Sequence, residues 1–359
     1  MPTRNEFLPH GAVREPVEKA AGAALDYPAT EVGSVGNISV YYATSLGAPG
    51  KNLADGLLKV VSGPYDDMES YFGVAGGAVT VVVAPLSGNN NGSAGAYHYG
   101  CDFNSGGTLY LDATFALPNA VDVGLALYVA ELSECFMGAQ GRGWGCGYSN
   151  GEGLSRVSAE IDTPAGSFPS WGVTGPSWVA AGYPDWVTQT EQTDRDYVST
   201  GCAVLYLYWM LSLGYTAPTI IRAAGDTLAA NYKTLTGKDS AYADLKAAVQ
   251  AVTVTSDNPF RPFIRPRRKT FQPLDQNTAY VLGSNGNLWH ETGPWGKVPP
   301  SRQQVDGGVA AFQALSATEA YVLGTDGNLW HETGPWGKVP PSRQQVDGNV
   351  FIQIGRAHV

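Results

Sequence analysis

Three glutamates fall within residues 131–152: Glu131 and Glu134 in the string AELSE, and Glu152 in the string NGEGLS. Carboxylates serve general acid–base catalysis and oxygen-ligated cations, and both uses need several of them brought to one point. The surrounding residues predict such convergence. Leu125, Leu127, Val129, Leu132, Phe136 and Met137 give the first stretch a broad apolar surface, so it is expected to form a mostly buried helix. A Gly-rich loop follows, then a second helix that begins near Glu152. A charge on a buried helix is costly unless it is paired or holds a metal, which makes these three residues the candidate chemistry.

The two strings resemble the core of the gluzincin metallopeptidases, where a helix carries HExxH and a later helix carries a ligand Glu in an NEG-like string. Carried over by position, the resemblance implies a zincin-like α+β fold, with Glu131 as general base and Glu134 and Glu152 at metal-ligand positions. Ala130 and Glu134 occupy the two histidine positions. Alanine binds no metal and zinc prefers nitrogen and sulfur, so the resemblance implies a degraded site. No cofactor is expected, and zinc or another divalent cation only if the site is active. His98 is the one imidazole in this region that could replace a lost ligand, although its loop is expected to leave it exposed. The carboxylates are otherwise expected to be neutralised by Arg142, Arg156 or backbone donors.

Several elements must position this pair of helices. NISVYYAT (37–44) and AVTVVVAP (78–85) read as strands, the second an apolar run of the buried kind. Residues 52–73 have helical spacing broken near Gly63 and Pro64. GTLYLDATF (107–115) reads as a third strand, and the resemblance implies an edge strand there that would pair with a substrate backbone. A long aromatic loop (163–197), an apolar helix (199–215) and further helices to about residue 255 complete the region. The expected organisation is a loose arm (1–35), a zincin-like domain (36–256) and a Pro- and Arg-rich linker (257–273).

Beyond the linker the chain repeats itself. AYVLGSNGNLWHETGPWGKVPPSRQQVDG begins at Ala279 and a near-identical copy at Ala320, a period of 41 residues. That period suits a propeller blade of four strands, and the strings resemble tectonin and tachylectin-type propellers, many of which bind sugars or bacterial surfaces. The resemblance implies two blades of an incomplete β-propeller over 274–353. Trp289 and Trp330 are expected in the blade core. Trp295 and Trp336, in GPWG turns, are expected to be exposed and to stack on a ligand with His290 and His331 nearby. The closing IGRAHV (354–359) reads as translated sequencing adapter, so the repeat array is expected to continue beyond the chain.

A formal net charge of −10 argues against nucleic acid as the main partner. No apolar run is long enough to span a membrane, and the first residues lack the apolar core of a signal peptide. Cys135 and Cys202 lie on apolar helical faces and are expected to be buried thiols; Cys101 and Cys146 lie in loops and could pair. The expected function is a binding protein: a degraded metallopeptidase-like domain with repeats that recognise a glycan or protein surface. The alternative is an active metallohydrolase, a peptidase targeted by its repeats.

Overall fold

The computed structural model describes residues 25–163, 174–193, 195–260, 271–274, 277–282, 287–292, 301–324, 328–337 and 341–347. The chain divides into two compact units, Met1–Pro262 and Phe263–Val359.

The first unit begins with β1 (Ala29–Val35) and β2 (Ile38–Ala43), which form an antiparallel hairpin. Next come α1 (Gly47–Leu58) and α2 (Ser62–Phe72); the helical stretch is interrupted at 59–61, a little before the expected place, and Gly63 and Pro64 lie in the first turn of α2, where a proline costs no helical hydrogen bond. They form the crossover that lets β3 (Val79–Ala84) pair parallel with β2, since parallel neighbours need a long connection. β4 (Ala96–Tyr97) and β5 (Thr108–Asp112) complete a sheet of order β1-β2-β3-β5-β4, in which β3 and β5 are parallel and β4 and β5 antiparallel. The helices that follow are α3 (Ala120–Gln140), α4 (Ser149–Asp162), α5 (Gly175–Ala180), α6 (Tyr197–Ser212), α7 (Ala217–Ala223), α8 (Leu228–Thr236) and α9 (Ala241–Gln250). One apolar core joins Val81, Val83, Leu109 and Leu111 of the sheet to Leu127, Phe136, Leu154, Val204 and Tyr206 of the helices.

This corrects the expected α+β zincin-like class: the unit is a mixed α/β domain with three parallel strands at the centre of its sheet. β5 is not the edge strand that the resemblance implied, because β4 covers it at Leu111 and Tyr110. The boundaries also move. Residues 29–35 are a paired strand rather than part of a loose arm. Asp257 and Phe260, assigned to the linker, belong to the first unit: Phe260 is in its core, and the Asp257 carboxylate accepts from Thr174 N and Gly175 N, both at 2.6 Å.

Gly138 in α3 faces the backbone of the loop at Cys101; a Cβ added there would lie 1.4 Å from the Cys101 carbonyl oxygen. Neither partner is a flexible side chain, so Gly138→Ala should lower the stability of this unit by about 3 kcal/mol. An unchanged denaturant midpoint would show that the helix and loop are not in such close contact.

The second unit holds β6 (Phe271–Pro273), β7 (Thr278–Leu282), β8 (Leu288–Thr292) and β9 (Ser301–Asp306) in one antiparallel sheet. β10 (Val309–Ser316), β11 (Glu319–Gly324), β12 (Leu329–Thr333) and β13 (Ser342–Asp347) form another. The repeats adopt one register: Tyr280 opposes His290 as Tyr321 opposes His331. The propeller expectation is corrected: among the described residues these are two separate sheets in chain order, with no closed ring of sheets. Repetition specifies the strands of each copy, but closure depends on contacts that two copies do not contain. Tyr280, Leu288 and Val305 of the first copy and Phe312, Val322 and Trp336 of the second share one core. The adapter-like residues 354–359 lie outside the described residues. No helix among the described residues is long and apolar enough to cross a membrane.

Candidate functional site

α3 is buried on nearly all sides and ends at Gly141, whose left-handed backbone (φ 59°) lets its N–H cap Met137 O. Glu131 and Glu134 therefore sit inside the protein with no exposed surface, as the sequence predicted. α4 brings Glu152 in its first turn, where the unsatisfied amides of a helix start favour a negative charge. The turn before it is tied by Asn150, which accepts from Gly151 N at 2.8 Å and donates to Gly143 O at 3.1 Å. Arg156, one turn on, donates from Nε to Glu152 Oε1 at 2.6 Å and is itself buried. It is thus the neutralising guanidinium for Glu152.

The expectation that His98 would be exposed is overturned. It is 1% exposed, and its Nε2 lies 3.1 Å from Glu134 Oε2 and 3.8 Å from Glu131 Oε2. Its position comes from the strap formed by β4 and the residues that follow. Tyr97 and Tyr99 donate through their hydroxyls to the Asp26 carboxylate, each at 2.8 Å, which ties the strap to residues assigned to the loose arm. Gly106 lies behind the imidazole, where a Cβ would stand 2.8 Å from Nδ1. Cys101 and Cys146 form a disulfide that closes the strap onto the turn before α4. Cys146 Sγ lies 3.3 Å from Glu134 Oε2, so the disulfide adjoins the acidic cluster. Cys135 and Cys202 are buried free thiols as expected, and burial pushes both well above the usual thiol range.

Burial raises the Glu152 carboxyl to about 7, with Arg156 opposing the rise and the Glu134 charge adding to it. Glu152 Oε2 and His98 Nδ1 are buried with no hydrogen-bond partner among the described residues. The cluster thus combines one imidazole, three carboxylates and one guanidinium in a water-poor setting. Such a set can trade protons or hold a cation. It does not fit the zinc set that the resemblance implied: Ala130 offers no donor, helix α3 supplies a carboxylate in place of the second imidazole, and the disulfide leaves Cys146 without a thiolate.

In the second unit Trp289 and Trp330, expected in the core, are half-buried, each beneath an exposed arginine: Arg302 stands 4.4 Å and Arg343 4.2 Å from the respective ring centres. Sequence reasoning missed these pairs, although the matching SRQQVD strings carried the signal. Trp336 was expected to be exposed for binding and is buried instead. Its turn folds back so that Nε1 donates to Ala317 O at 2.7 Å, and its ring packs edge-on against Tyr280. Trp295 lies outside the described residues. His290 is buried against Tyr280, and His331 Nε2 contacts Glu319 Oε1 at 2.8 Å, so neither is a freely exposed ligand contact.

Compared with known proteins, the chain matches no family model and no curated relative.

Proposed function

We propose that the chain is a binding protein, in which the first unit does not hydrolyse peptides and the second recognises a glycan or protein surface. The observation that carries this reading is the strap: β4 covers β5, and the Glu131 carboxyl at the general-base position has no exposed surface. A substrate must reach the base for proton transfer to occur. In the second unit, the two arginine–tryptophan pairs recur at equivalent places and present planar donors beside an aromatic face. That combination suits hydroxyl- and carboxylate-bearing surfaces, and two copies on one chain raise avidity.

A second reading, a metal-dependent hydrolase, has one observation in its favour. Glu152, raised to about 7, is poised for acid–base work near neutral pH. One experiment separates the two. The full chain is screened against a glycan array and for cleavage of a peptide library. Binding should weaken about tenfold in the double variant Arg302→Ala, Arg343→Ala, because both guanidinium donors to the ligand are lost, about 1.4 kcal/mol in all. Peptide cleavage that disappears in Glu131→Gln would replace this reading with the hydrolase.

A further inference from the structure

The disulfide stands where a metal ligand would be useful. His98 Nε2, Glu134 Oε2 and Cys146 Sγ lie within 4.8 Å of one another, and all three residues are buried. Glu134 Oε2 is 3.1 Å from the imidazole nitrogen and 3.3 Å from the sulfur. Ligands at the corners of a zinc tetrahedron, with bonds of about 2.0–2.3 Å, stand about 3.3–3.7 Å apart. The two contacts made by Glu134 Oε2 therefore match neighbouring corners of one coordination shell to within a few tenths of an ångström, and the imidazole nitrogen and the sulfur lie within 4.8 Å of each other, close enough for one ion to draw them together. Glu152, whose carboxyl feels the Glu134 charge and whose Oε2 has no partner among the described residues, is the candidate fourth donor.

We propose that reduction of Cys101–Cys146 creates a zinc site from Cys146 Sγ, His98 Nε2 and Glu134 Oε2. The oxidised chain presents imidazole and carboxylate only, a poor match for zinc; one thiolate changes the donor set to nitrogen, oxygen and sulfur. The chemistry balances with a dithiol as reductant. It gives two electrons and two protons to the disulfide and ends as its own cyclic disulfide, while Cys101 and Cys146 become thiols. Zinc then takes the place of the Cys146 thiol proton, which passes to solvent. Cys101, half-buried where Cys146 is buried, is the sulfur more open to reductant. After reduction Cys101 need not move far, because Gly138 packs against its backbone rather than its sulfur. The site is independent of what the second unit binds, so a failure of glycan recognition would leave this proposal standing, and the reverse also holds.

The test uses the full chain and zinc alone, titrated against a chromogenic chelator. Four proteins are compared: oxidised wild type, wild type reduced with dithiothreitol and held in a phosphine, Cys101→Ser and Cys146→Ser. Reduced wild type and Cys101→Ser, which frees Cys146 without reductant, should each bind about one zinc, at least about tenfold more tightly than the oxidised chain. Cys146→Ser should match the oxidised chain even under reductant, although it keeps the other three cysteines. Cobalt(II) should give a thiolate charge-transfer band with reduced wild type and with Cys101→Ser. Equal zinc affinity in Cys146→Ser and reduced wild type would overturn the proposal, as would a cobalt complex without the band. Should Cys101→Ser fail to fold, reduced wild type and its cobalt spectrum decide. Loss of helical circular dichroism on reduction of wild type would also overturn it, because the site requires the folded strap.

Discussion

Replacing Arg156 with methionine should destabilise the first unit by about 3–5 kcal/mol near neutral pH, the cost of leaving a buried charge without its partner. Arg156 Nε donates to Glu152 Oε1 at 2.6 Å, Glu152 is 1% exposed, and the half-buried Asp257 carboxylate also interacts with the guanidinium. Methionine keeps much of the volume and removes the charge. The penalty should shrink as pH falls, because Glu152 already stands at about 7 and loss of the cation raises it further. Once protonated, Glu152 no longer needs a counter-charge. Adding Glu152→Gln to Arg156→Met should recover a large part of the loss, since the two positions act as one unit. Denaturant unfolding of the four proteins, at a pH well below 7 and again well above it, measures the effect. Equal, additive and pH-independent losses would show that the two side chains are not coupled.

The second unit should lose stability as pH rises through the neutral range, and Glu332→Gln should remove most of that loss. Burial raises the Glu332 carboxyl from 4.5 to about 8, with Asp306 adding to the rise and Arg343 opposing it. A carboxyl whose folded value lies above its unfolded value binds its proton more tightly in the native state. Its contribution is fully present below about 4.5 and declines as pH climbs towards 8. Below that range Glu332 is neutral and can donate to the Asp306 carboxylate; above it, two buried carboxylates share one guanidinium, Arg343 Nη1 at 3.4 Å from Asp306 Oδ2. Glutamine keeps a donor and carries no charge, so the variant should gain roughly 1–3 kcal/mol over wild type at alkaline pH. Hydrogen exchange of the amides of β11 to β13, followed from pH 5 to 9 with correction for intrinsic exchange, reads this out. A wild-type profile no steeper than that of Glu332→Gln would refute the assignment.

The amino-acid sequence specifies those elements whose patterns are local. An apolar stretch of helical period gave α3, glycine and a polar turn separated it from α4, and β-branched runs gave β2, β3 and β5. It also determined that Glu131 and Glu134 would be buried, because a helix apolar on most sides leaves its few charges nowhere else to go. The two repeats share one register, as their matching strand strings AYVL and LWHET imply.

Contacts between segments far apart in the chain are invisible to local pattern. His98 reads as a loop residue because its neighbours SGNNNGSAGAYHYG are polar and Gly-rich; its burial comes from Asp26, from the disulfide to Cys146 and from pairing with β5, none of which is visible in local pattern. β1 looked like loose chain because its side chains are mostly half-buried or exposed, and only pairing with β2 identifies it. The repeats show the limit most directly. Glu291 and Glu332 occupy identical strings, yet the first is half-buried and the second fully buried, because the second copy packs against the first across one shared core. Identical residues receive identical local structure from the chain, but their solvation, and with it their chemistry, is set by whatever packs on top of them.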